Sequence, residues 1–451
     1  MKSLVVVGGG ITGLAAAYLA ARAGVRVTVL EGADAMGGLL GTFAVGGSRL
    51  EYFYHHAFTH DMELRWLLGE LGIADRMQFR PATMGVYRAG QNYRFNTPAD
   101  LLRFRPMGLG DQARFALTSL YLARVAKWQA NENVPALDWF YRHAGRAATE
   151  SLWAPLLRVK FGPFAEKIPL AWMIGRLRQR VNSRQRGREK LGYLDGSLAV
   201  LLEALLRELE KMGVRLQTSA PVRSVTVAAG EVQSLQTAAG EFTADAFLFT
   251  IPTTHLAELM QPVAETYAAE LRQIEYFSAV CTVLELSRPL SSTYWLNIAD
   301  PGFPFGGIIE HTNLVPAAAY QGRHLVYLSR YYAASDELAR MSTAATQELM
   351  LAGLKKIYPD LTDAEILKVS VFSSRTAAVV CDLDFSKKVP AGRAPLQRMF
   401  LAAMPHVYPD ERSCNNSVRV AAEACRVMGL AIPAVPRCAS LSGQINMGDS
   451  R

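Results

Sequence analysis

Leu4 to Val7 form a short unbroken apolar run that Gly8, Gly9 and Gly10 close. Bounded by turn residues and too short for a helix, it predicts a strand buried on both faces. Small apolar residues then continue from Ala15 to Ala23 without alternation, which predicts a helix. Val25 to Leu30 predict a second buried strand, ending at Glu31. Further on, "LGYLDGSLAVLLEALLRELEKMGVRLQTSAPVRSV", Leu191 to Val225, passes from a loop to an amphipathic helix and then to two strands. "GGIIEHTNLVPAAAYQGRHLVYLSRYY", Gly306 to Tyr332, reads as two strands around a loop, and "RMFLAAMPHVYPDERSCNNSVRVAAEAC", Arg398 to Cys425, as a strand, a loop and a final helix. This mixture of strands and helices predicts the α/β class.

Between Leu101 and Lys127 apolar residues recur at helical spacing, with Arg103, Arg105, Arg114, Arg124 and Lys127 among them. Two readings stand. Such stripes are more often domain core, the reading preferred here, but an interfacial amphipathic region has the same pattern. Trp153, Phe161, Phe164 and Trp172 are expected to wall a large apolar ligand site. At the end of the last strand before residue 333, Arg330 and Tyr331 are the candidates for substrate contact, with core roles expected for most of the neighbouring tyrosines.

The chain has 451 residues, enough for two domains or one domain with a large insertion. No apolar run approaches the roughly 18 residues that a membrane-spanning helix needs. The N-terminus lacks the long apolar segment of a signal peptide. The five cysteines show no CxxC spacing, so neither a zinc site nor a disulfide framework is expected, and a reducing cytoplasm is the default. The net charge of +8 is concentrated: Arg158 to Lys190 carries ten basic residues against Glu166 and Glu189. A solvated helix face is one reading. The other is a patch for an anionic substrate, or for peripheral contact with anionic lipid headgroups. Nucleic acid is not expected, because no binding module accompanies the charge.

Gly8, Gly10 and Gly13 fit GxGxxG, and here the motif has a strand before it, a helix after it and an acidic residue, Glu31, about 20 positions on. Gly8 permits the tight turn, Gly10 lets backbone approach a pyrophosphate, and Gly13 lets helix and strand pack closely. The helix start, at Ile11 and Thr12, offers unsatisfied N–H groups and a positive dipole end. Glu31 is placed to accept from ribose hydroxyls. With Gly37–Gly38 following, the pattern resembles the flavoprotein family of amine oxidases, protoporphyrinogen oxidases, carotenoid desaturases and UDP-galactopyranose mutases.

That resemblance implies FAD as cofactor, held by a Rossmann-type domain assembled from discontinuous segments (1–90, 190–255 and 371–432). It also implies an α+β substrate domain (91–189 and 256–370), and leaves a C-terminal tail over 433–451 expected to lack fixed structure. Val222 matches the family's adenine-contacting turn, and "ADAFLFTIPTTHL" is similar to the strand that returns to the flavin domain. The final helix, with Asn415 in its first turn, is implied to point its N-terminus at the flavin. One departure stands out: amine oxidases usually carry Gly-Asp after the last strand, whereas this chain reads Ala402-Ala403-Met404. Met404 takes that place.

"YHHAFTHD", Tyr54 to Asp61, spends three of the chain's eight histidines. It is similar to the mutase motif G-P-H-I-F-H-T, with His56 at the flavin-proximal histidine. His56 is therefore the candidate for an imidazole beside the flavin ring, with a purely structural role as the alternative. His55 and His60 are expected to be loop or cap residues, and no metal site is assigned. The leading functional expectation is an FAD-dependent oxidoreductase that removes hydride from a large, anionic or lipid-linked small molecule. Electrons would pass to oxygen or a quinone-like acceptor. The alternative is a mutase-like use of reduced FAD without net redox.

Overall fold

The computed structural model describes residues 1–185, 188–437 and 447. Its organising element is a five-stranded sheet, parallel throughout. The strands run in the order Arg215–Gln217, Arg26–Leu30, Ser3–Val7, Ala246–Phe249, Met399–Leu401. In chain order this is 3-2-1-4-5, so the direction of building reverses beside Ser3–Val7 and leaves a crevice at the carboxyl end of that strand. The apolar runs are continuous because both faces are covered. Leu4, Val6, Val27, Val29 and Leu248 pack under helices Ile11–Arg22, Ala199–Lys211 and Cys414–Val427. Val5, Val7, Leu30, Phe247 and Phe249 pack on the other side, against a three-stranded antiparallel sheet (Val222–Phe242) and helix Thr253–Met260.

A second, seven-stranded sheet runs Ile366–Val379, Tyr276–Leu286, His324–Tyr332, Gly307–Glu310, Trp295–Ile298, Met84–Arg88, Gln91–Arg94. The expected boundary near 90 falls inside the hairpin Met84–Arg94. The one at 371 falls inside Ile366–Val379, which pairs with Tyr276–Leu286, so the chain rejoins the parallel sheet only at Met399. The expected tail, 433–451, lies mostly outside the described residues.

Helices between Pro98 and Asn182 pack around Phe104, Phe140, Trp153 and Ile174. Of the two readings for Leu101 to Lys127, domain core describes one side of the segment. Phe104, Met107, Phe115 and Leu122 are core, whereas Leu102, Leu109, Leu117 and Leu120 face outward. Among the described residues no helix is long and apolar enough to cross a membrane.

Candidate active site

At the carboxyl end of Ser3–Val7 the glycines have distinct reasons to be glycine. Gly8 has φ +113, and a Cβ on Gly13 would lie 2.0 Å from the Gly8 carbonyl oxygen, so helix and turn touch backbone to backbone. A Cβ on Gly10 would meet no protein atom within 4 Å: the space above it is open. Gly37 and Gly38 both take positive φ, and Gly37 N–H donates to the Gly9 carbonyl at 2.8 Å, so the second glycine pair lies along the first turn. Helix Ile11–Arg22 begins at Gly10 with no side-chain cap, leaving its first-turn N–H groups to an outside acceptor. Glu31 accepts from Gly9 N–H at 2.7 Å through Oε2 and from Ala33 N–H at 2.9 Å through Oε1. Each oxygen keeps a lone pair for a further donor. Val222 opens its strand just beyond, next to Pro221, which sits 3.5 Å from where a Cβ on Gly32 would be. An open, donor-rich cradle with an acidic residue at its side fits a dinucleotide.

Nearby lies a cavity of about 750 Å³. Its lining includes His56, Met404, Arg330 and Tyr331 of the predicted residues but none of Gly8 to Gly13, Glu31 or Gly37 to Gly38. The first turn of helix Cys414–Val427 reaches it through Ser413 and Cys414. Asn415 points elsewhere: its Oδ1 accepts from Leu64 N–H at 3.0 Å, fixing the helix Met62–Glu70. Trp153, Phe161 and Trp172 wall the cavity as expected, while Phe164 packs edge-on to Phe277 outside the lining.

Of the basic segment Arg158 to Lys190, Lys160, Arg176 and Arg180 line the cavity. Helix Leu170–Asn182 buries Leu170 to Gly175. Gly175 abuts the Pro409 carbonyl so closely that a Cβ would be 2.8 Å from it. That approach carries Arg176 and Arg180, one turn apart on the same helix face, into the cavity beside the loop Tyr408–Ser413. Glu411 there pairs with both Lys160 and Arg176. Burial alone would raise the Glu411 carboxyl, but the two cations hold it down at about 2. Burial lowers Lys160 to about 8, against the pull of Glu411. Arg180 pairs with Glu189 at 2.9 Å and lies over the Trp295 ring at 5.8 Å. Arg412 donates to the Tyr331 hydroxyl at 2.9 Å, and its buried Nε has no partner among the described residues. Arg330 is held by Asp336 at 2.7 Å. Lys160 sits 4.6 Å from the Trp172 ring centre. Around the cavity Lys160, Arg176, Arg180, Arg330 and Arg412 meet three carboxylates, Glu411, Glu189 and Asp336.

The histidines separate. His55 Nδ1 donates to the Phe53 carbonyl at 2.5 Å, and burial lowers its pKa to about 4. His60 stacks on Phe58. His56 stands edge-on to Phe58, Tyr294 and Trp295, with Nδ1 3.4 Å from the Tyr294 hydroxyl. Burial, then the charges of Arg180 and Arg176, push its pKa well down, so it is a neutral imidazole at physiological pH. Asp61, at the end of the same segment, accepts from Phe58 N–H at 2.8 Å, and burial raises its pKa to about 7. Sequence reasoning missed Glu411, Arg412, Asp61 and Trp295. Only the "PDER" charge pair in the loop before the last helix gave a signal for the first two.

Residues 11–404 match the model of the flavin containing amine oxidoreductase family. The chain belongs to that family, and it is an FAD-dependent oxidoreductase. It is 28% identical over 310 residues to a coproporphyrinogen III oxidase of Mycobacterium tuberculosis, covering 64% of this chain and 67% of that one. A 15-cis-phytoene desaturase of Narcissus pseudonarcissus is 23% identical over 436 residues, covering 88% and 74%. Among solved structures, reduced UDP-galactopyranose mutase superposes with a TM-score of 0.74 at 15% identity, covering 100% of this chain and 99% of that one. That likeness is one of fold.

Proposed function

We propose that this chain is an oxidase or dehydrogenase of a large, carboxylate-bearing molecule of the porphyrinogen type, passing electrons to oxygen or a quinone-like acceptor. The observation that carries the reading is the cationic cluster of Lys160, Arg176, Arg180 and Arg412 set against aromatic walls in one cavity. Guanidinium groups suit carboxylates through paired, charge-assisted hydrogen bonds, while Phe161, Trp172 and Trp295 cover an apolar ring and exclude water. The mycobacterial relative, a coproporphyrinogen III oxidase, fits that combination.

In this reading the parallel-sheet unit is the Rossmann-type FAD domain. Gly8, Gly10 and Gly13, with the N–H groups at Ile11 and Thr12, take the pyrophosphate, and Gly37–Gly38 extend that contact. Glu31 accepts from the ribose, and Val222 borders the adenine. Met404 and the N-terminus of helix Cys414–Val427, through Ser413 and Cys414, border the flavin end, where a helix dipole favours negative charge. Bound there, FAD supplies the acceptor for a hydride leaving a substrate carbon. His56, neutral and fixed between Tyr294 and Trp295, orients the substrate without gaining charge. The cations hold carboxylates so that the reacting carbon is presented in a fixed pose.

The test is anaerobic mixing of the purified FAD-loaded protein with coproporphyrinogen III. Loss of the oxidised-flavin absorbance supports the reading, with a porphyrin spectrum growing only once air is admitted, because a two-electron flavin must turn over three times to remove six electrons; an unchanged flavin spectrum sinks it. Arg176 and Arg180, side by side, also suit a diphosphate, and His56 occupies the mutase-like position. Mutase chemistry on a nucleotide sugar is therefore the second reading. It would require prior reduction of the flavin and consume no acceptor.

A further inference from the structure

Helix Leu109–Arg124 presents two apolar stripes, and the fold buries only one. Gln112, Phe115, Thr118 and Leu122 face inward. On the outward side Leu109 is 73% exposed, Leu117 69%, Leu120 55% and Tyr121 46%. Leu102, at the end of the preceding helix, and Val125, just past this one, are each 64% exposed. Among the described residues these six are the majority of the ten large exposed hydrophobics, gathered within 24 consecutive positions. Scattered single exposures need no explanation, but a contiguous patch on one helix face does.

The charges on this face have one sign. Arg114 and Arg124 emerge among the exposed leucines, and Arg103, Arg105 and Lys127 flank them, all exposed. Asp111, the one acidic residue between 101 and 127, is only half-exposed. Trp139 stacks on Tyr121 with ring centres 6.1 Å apart, adding an indole at the rim. An apolar stripe bordered by arginines, with Trp and Tyr at its margin, is the composition of a helix lying in a membrane interface.

The cavity reaches the same face. Its lining includes Pro98 and Leu101 from the preceding helix, and Ala116 and Leu120 from the outward side of Leu109–Arg124. Ala116 and Leu120 are thus at once cavity wall and protein surface, which places an opening between the two helices.

We propose that the face formed by Leu102, Leu109, Leu117, Leu120, Tyr121 and Val125 seats this protein on an anionic lipid bilayer. Its arginines meet the headgroups, and the cavity opens onto the acyl layer. Docking does not depend on the substrate assigned above; only the use of the opening as a substrate entrance rests on that reading. The surface differs from the basic segment Arg158–Lys190, whose Lys160, Arg176 and Arg180 are spent inside the cavity.

The test is co-sedimentation of the FAD-loaded full chain with vesicles of equal parts phosphatidylcholine and phosphatidylglycerol. It compares wild type with the double variant L109E/L117E, whose two positions lie outside the cavity lining. Retained flavin absorbance and an unchanged circular dichroism spectrum show that the variant is folded. The proposal expects wild type to sediment with the vesicles and the variant to lose at least about tenfold in vesicle affinity. Wild type remaining in the supernatant overturns it. Equal binding of both proteins, abolished by salt, also overturns it, because adsorption then comes from net charge alone. A vesicle-free wild type that is dimeric while the variant is monomeric would assign the face to a second copy, and overturns it too. Failure on vesicles leaves the flavin-bleaching test untouched, so the two readings fail separately.

Discussion

Replacing Glu411 with Gln should destabilise the protein and tighten its hold on an anionic substrate. The carboxylate lies between Lys160 and Arg176, with its side chain about a fifth exposed: 22%. Held at about 2 in the fold against an ordinary 4.5, it contributes at most about 3 kcal/mol at neutral pH, and solvent reaching the cavity reduces this to about 2 kcal/mol. The sign follows from a depressed carboxyl. Its stabilisation is complete above pH 4.5 and is lost as pH falls toward 2, roughly a quarter by pH 4 and more than half by pH 3. Gln keeps the shape and one acceptor but removes the charge, so the stability gap between wild type and E411Q should narrow over that range. Urea unfolding followed by circular dichroism, at constant excess FAD to hold ligand linkage fixed, measures it. The variant also frees Arg176 to meet a substrate carboxylate, so KM should fall several-fold while stability falls, a trade of stability for binding. A gap that is absent at neutral pH, or that stays constant down to pH 3, would show that Glu411 does not stabilise the fold through its charge.

Gly10→Val should fold normally, because its Cβ meets no protein atom, yet yield a colourless protein; Gly13→Ala, forced onto the Gly8 carbonyl, should lose secondary structure stability as well as flavin. Absorbance and circular dichroism on both separate the two effects. His56→Asn should lower turnover without removing any inflection from the pH–rate profile between about 6 and 8, since the native imidazole is already neutral there; an inflection that disappears in the variant would show that His56 titrates. Asp61, raised by burial to about 7 from 3.8, binds its proton more tightly folded than unfolded. Wild-type stability should therefore decline relative to Asp61→Asn as pH rises from about 4 to about 7, by as much as about 4 kcal/mol. Paired denaturation curves across that range check it, and a flat difference contradicts it.

The glycine turn was legible because its cause is local: Gly8 and Gly13 are required by contacts a few residues apart, and the buried strands by unbroken apolar runs. His56 was legible as a cavity residue from its segment. The cationic cluster was only half legible. Charge counting located Arg176 and Arg180, but their direction is set by Gly175 packing on Pro409 and by Glu411, contacts across more than half the chain that no periodicity carries. Asn415 was expected at the cofactor, yet its side chain is spent on Leu64 N–H, a pairing invisible before the helices are docked. In Leu101 to Lys127 the apolar spacing left a core and an interfacial reading open. Which side the fold would cover depends on neighbours such as Phe140 and Trp153, whose placement is tertiary.

Whether this cavity oxidises a molecule held by its carboxylates is decided by comparing coproporphyrinogen III with its methyl ester in the anaerobic flavin assay. The free acid is predicted to bleach the flavin at least about tenfold faster at limiting concentration, because only it can engage Arg176, Arg180, Lys160 and Arg412. Equal rates for acid and ester, or bleaching by neither, would show that it does not.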